Sequence, residues 1–98
     1  MSKDAFEELE KKYDEIVDMM PSRFNSHAFI LKIAQKYQRL YVQALIVYAK
    51  NDQPFQSVHK EIAKRLKKRD DLVKHIDDKP SKNIFGLVNN AAVWRKVK

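Results

Sequence analysis

Ninety-eight residues with 20 Lys and Arg, 13 Asp and Glu, one Gly and no Cys bound a single small domain, residues 1–98. The absence of Cys excludes disulfides and cysteine-liganded zinc and fits a reducing, cytoplasmic setting. No apolar run approaches the ~20 residues that span a bilayer, so no membrane partner is expected, and the charged, acidic start is wrong for a signal peptide.

The formal net charge of +7 is unevenly spread. Residues 1–20 hold three lysines against seven carboxylates, a net of −4; the remainder holds 17 basic and 6 acidic residues, a net of +11. A body this basic favours a polyanionic partner.

The first predicted element is an acidic helix from Asp4 to Met20. Asp4 and Glu7 have capping-box spacing, and Phe6, Leu9, Tyr13, Ile16, Val17 and Met20 form one apolar stripe. That stripe packs on the rest of the chain, or on the same helix of a second chain. Pro21 ends the element, and Pro21 to Phe24 reads as a connection.

A long central helix is expected across 25–50, capped by Asn25 or Ser26 and free of Gly and Pro. Ile30, Ile33, Tyr37, Leu40, Tyr41, Ala44 and Tyr48 share one face. Val42, Ile46 and Val47 add apolar groups outside that stripe, which puts the centre of the core in the helix's second half. The tyrosines read as core residues whose hydroxyls reach the rim.

The region 54–98 reads as basic and helical. Pro54 suits a first helical turn, and Phe55, Val58, Ile62 and Leu66 give a third helix. A continued helix would put Arg69 in mid-stripe, so a break near Lys68–Asp71 is expected, followed by a short helix Asp70–Ile76. Asp77–Pro80 reads as a turn. The tail is open to two readings: a helix starting at Ser81, preferred for its two alanines, or a short hairpin turning at Asn89–Asn90.

The fold class is therefore mainly α: a compact bundle of four or five helices around a long central one, with a C-terminal helix or short hairpin. Within Ser57–Ile76, the residues Ile62, Ala63, Leu66 and Val73 stand where the helix-turn-helix of bacterial DNA-binding regulators has its Ile-Ala-x-x-Leu and its first recognition-helix core residue. The segment resembles that motif, although Lys67 and Lys68 replace the family's turn Gly and the apolar residue after it. The resemblance implies a helix entering a DNA groove.

Five cations in six residues, Lys64, Arg65, Lys67, Lys68 and Arg69, could neutralise several phosphates. Lys74, Lys82, Arg95 and Lys96 extend the candidate nucleic-acid-binding set, with Lys98 beside them. Trp94 could stack on a base or anchor the core. His27, His59 and His75 lack metal-ligand spacing, so no metal or cofactor is expected. No nucleophile elbow, phosphate loop or paired-carboxylate signature indicates an enzyme. The expectation is a non-catalytic nucleic-acid-binding regulator, with duplex DNA as partner. The alternative is a protein-interaction module using the acidic helix and the tyrosine stripe, as a regulatory subunit or a homodimer.

Overall fold

In the computed structural model, which describes residues 5–97, the acidic N-terminal segment forms two short helices, α1 (Ala5–Glu10) and α2 (Tyr13–Met19). The amide of Lys12 bonds the carbonyl of Leu9, three residues back, at 2.9 Å, a tight turn that interrupts the expected single helix. The stripe itself is intact: Phe6, Leu9, Tyr13, Ile16, Val17 and Met20 are all buried. Asp4, and with it the predicted capping box, lies outside the described residues, as does Lys98. Met20, before Pro21, is extended and closes α2.

The predicted connection contains a strand, β1 (Arg23–Asn25), after which the central segment divides into α3 (Ser26–Lys36) and α4 (Gln38–Val47). Asn25 is the cap of α3, its Oδ1 accepting from the Ala28 amide at 2.8 Å. Tyr37 sits between the two helices with φ −124° and ψ 59°. The break re-aims α4, so that Tyr41 and Ala44 face the core while Val42, Ile46 and Val47 face solvent. The centre of the core therefore lies in the first half of the segment. Tyr13, Leu9, Ile16, Phe29, Ile33, Val58, Ile62 and Leu66 are its largest fully buried side chains. The Tyr13 and Phe29 rings meet edge to face with centroids 4.9 Å apart, and the Tyr13 hydroxyl donates to the Ile62 carbonyl at 2.8 Å.

Helix α5 (Pro54–Lys67) begins with Pro54 in its first turn and ends where the break is expected. The C-terminal third of the chain overturns the all-helical fold. It turns through Leu72 and enters β2 (Val73–Lys82), which pairs antiparallel with β3 (Val88–Lys96), and β3 pairs with β1. The described residues form a mixed fold of five helices and one three-stranded antiparallel sheet ordered β1-β3-β2. Where a recognition helix would lie, Val73, Lys74 and His75 pair with Lys96, Arg95 and Trp94. The helix-turn-helix geometry is thus not formed, because backbone pairing to β3 uses the same residues.

Asp77–Pro80 is not a turn but part of the edge strand. Its charges, Pro80 and the irregularity at Ile76 discourage pairing of this edge with another chain. The turn comes later. The Gly86 amide bonds the Asn83 carbonyl at 2.9 Å, the Asn83 amide bonds the Leu87 carbonyl at 2.8 Å, and Gly86 has φ +82°. This is a three-residue loop closed by a left-handed glycine. The Asn83 side-chain oxygen also accepts from the Phe85 and Leu87 amides. Asn89 and Asn90 lie within β3.

Candidate nucleic-acid interface

Two of the densest run's five cations are committed elsewhere. Arg65 donates to Glu61 at 2.7 Å and to Glu10 of α1 at 3.2 Å, with its guanidinium 5.4 Å from the centre of the Phe6 ring. Arg69 holds Asp71 through two donors and Asp14 of α2 through one. Its bonds to Asp71, with Asp14 assisting, hold the guanidinium above its ordinary range. Lys96 is used as well, its ammonium donating to the Met20 carbonyl at 2.9 Å and the Asp18 carbonyl at 3.3 Å. These contacts join the acidic N-terminal helices to the basic body.

The lysines are disposed differently. Lys64 and Lys67, with Lys60 one turn earlier, line a groove of about 670 Å³ between α5 and the sheet. Tyr48, His75 and Trp94 contribute to its walls. The groove's acids are occupied: Glu61 by Arg65 and Asp78 by His75 at 2.9 Å. Among the described residues, Lys60, Lys64 and Lys67 make no ion pair. Lys68 caps α5 and is exposed outside the groove lining. Trp94 is an anchor: it is buried, and its Nε1 donates to the buried Ser26 Oγ at 2.9 Å.

Lys74 and Arg95 belong to the other face of the sheet. Strand register puts Arg23, Arg95 and Lys74 side by side across β1, β3 and β2, an exposed row of three like charges. Lys82 is exposed at the far end of β2. The nine predicted cations therefore do not form one patch.

At the N-terminal end of α5 the groove runs into a second concavity of about 750 Å³, with Lys60, Ala63 and Ala92 bordering both. This cleft lies between the starts of α3 and α5 and the β2–β3 turn. The Asn25 side-chain amide donates to Ser81 Oγ at 2.9 Å, so the hairpin is held to the start of α3. Phe55 and Phe85 meet edge to face at 4.9 Å across the rim. His59 lies beneath them, its Nε2 2.7 Å from the Tyr41 hydroxyl. Burial, with His27 nearby, pushes the His59 imidazole down to about 4, and burial pushes Tyr41 up to about 12.

The cleft was not anticipated from sequence. Its one local signal is Asn83-x-x-Gly86, which fixes the loop that brings Phe85 back to α5. Among the described residues no group of three or more His, Cys, Asp or Glu could hold a metal ion, and no helix is long and apolar enough to cross a membrane. Comparison with protein-family models, curated proteins and solved structures finds no match to this chain.

Proposed function

We propose that this domain is a non-catalytic nucleic-acid-binding module whose lysine groove follows the backbone of a single strand. The observation that carries the reading is the alignment of Lys60, Lys64 and Lys67 along one groove wall, free of ion pairs among the described residues while the neighbouring arginines are engaged. Three ammonium groups brought together repel one another. A polyanion that runs between them relieves that repulsion and releases its counterions.

A single strand suits this surface better than a duplex. The expectation of duplex DNA rested on a protruding recognition helix, and that segment is strand β2. The basic surface is instead concave, and a concave basic channel beside aromatic groups is the usual form of a single-strand site. Of the acidic helix and tyrosine stripe that an interaction module would use, Tyr13 and Tyr41 are buried within the chain.

The test is equilibrium binding of a short labelled single-stranded oligonucleotide, followed by fluorescence anisotropy as salt is raised from low ionic strength. Affinity should fall linearly on a log–log plot, and a duplex of equal length should bind more weakly. No salt-dependent binding of either form would overturn the reading.

A further inference from the structure

We infer that the cleft at the end of the lysine groove takes one unstacked nucleobase of the bound strand, an inference that rests on the groove being the strand's path. Continuity is the first reason. Lys60, Ala63 and Ala92 border both concavities, so a strand leaving Lys67 and Lys64 meets the edge of the cleft at Lys60. Among the described residues, Lys60 is also the one lysine or arginine in the cleft lining, against one carboxylate, Asp52. The phosphate attached to an inserted base would meet its cation there.

The second reason is the chemistry of the walls. A base needs an aromatic or apolar face to stack on and uncharged donors and acceptors for its edge. The rim supplies Phe55 and Phe85, two large rings left 42% and 53% exposed although they pack on each other. The lining supplies the side-chain amides of Gln56, Asn89 and Asn90, each with both donors and an acceptor. A phosphate-only site would be rich in cations, and a purely apolar ligand would leave these amides without partners. A volume of about 750 Å³ lies within the ordinary range for small-ligand sites, so one base and its sugar fit.

The experiment compares a natural single strand with an abasic strand of equal length, and uses the variants Phe85→Ala and Asn90→Ala. The abasic strand should bind roughly tenfold or more weakly, the scale of one lost stacked base. Each variant should bring the natural strand toward the abasic affinity without changing the salt slope. The Asn90 side chain is exposed, so Asn90→Ala keeps the test sound if Phe85→Ala unsettles the hairpin. Equal affinity for natural and abasic strands would overturn the inference while leaving the groove reading in place. If neither strand binds, the groove reading fails, and amide NMR titration with adenosine and uridine 5′-monophosphates decides the cleft alone. Shifts at Phe55, Gln56 and Asn89–Ala91 that ribose 5-phosphate does not reproduce support it. Their absence, or equal shifts with ribose 5-phosphate, overturns it.

Discussion

Asp14 accepts a 2.9 Å hydrogen bond from Arg69 Nη2, joining α2 to the turn after α5 across 55 positions of sequence. With Asp71 on the same guanidinium and Glu10 on Arg65, this bond makes the acidic N-terminal helices a fixed wall of the domain. Two arginines of the basic run thus act within the fold, which leaves strand binding to the lysines.

Arg69→Ala should therefore lower stability modestly, by about 1 kcal/mol, the scale of a partly exposed ion-pair cluster. It should leave the salt slope of oligonucleotide binding unchanged. Urea unfolding and an anisotropy titration check the two halves. A flattened slope with unchanged stability would return Arg69 to the binding surface.

The core makes a paired prediction. Phe29 is fully buried and packs on Tyr13 and Phe24, so Phe29→Ala should cost about 3–5 kcal/mol. Ile46 is 65% exposed, so Ile46→Ala should stay within about 0.5 kcal/mol. Denaturant midpoints of the two variants measure this directly, and the reverse order would mean that α4 packs differently.

How legible each element is in sequence depends on what it packs against. The stripes of α1, α2 and α5 read correctly, apart from the exposed Phe55, because one face of each helix is buried, and a helical period survives a short interruption at Lys11–Lys12. The sequence offers a hairpin only as the second reading of the tail, with its turn at Asn89–Asn90 and without β2. From Lys74 to Lys79 strand β2 is exposed at every position, so no alternation marks it, and Ile76 shifts the register. Strand β1 has three residues, too few to show a period. Asn83 and Gly86 did carry a turn signal, but Asn89–Asn90 competed with it. The spacing of Lys60, Lys64 and Lys67 is that of one helix face. That it lines a groove depends on the hairpin, and that Arg65 and Arg69 leave the set depends on partners 55 positions away.

His59 gives the domain an acid-side weakness. Its folded pKa of about 4 lies below the unfolded value of 6.5, so in that window the unfolded chain binds a proton that the folded chain excludes. Stability should fall as pH drops from about 6.5 towards 4, and the His59→Gln variant should fall less steeply over the same range. Thermal unfolding of both proteins across the window tests this. Identical slopes would show that His59 is protonated in the fold without penalty.

The row formed by Arg23, Arg95 and Lys74 should cost stability, because like charges directly opposite on adjacent strands repel. Arg95→Gln should therefore stabilise the domain by up to about 1 kcal/mol, read as a higher Tm at low salt and a smaller gain at high salt. A lower Tm at low salt would mean that Arg95 makes a stabilising contact outside this row.

The central claim is tested most directly by the salt slope of single-strand binding in the variant Lys60→Gln/Lys64→Gln/Lys67→Gln. The control is Lys32→Gln/Lys36→Gln/Lys50→Gln, which removes the same charge from residues outside the groove and cleft linings. The groove variant should lose affinity and show a log–log slope shallower by about 2, at ~0.7 for each of three lost phosphate contacts. The control should keep nearly the full slope of the unmodified domain. Equal slopes in the two triple variants would contradict the claim, since net charge alone, and not the groove, would then govern binding.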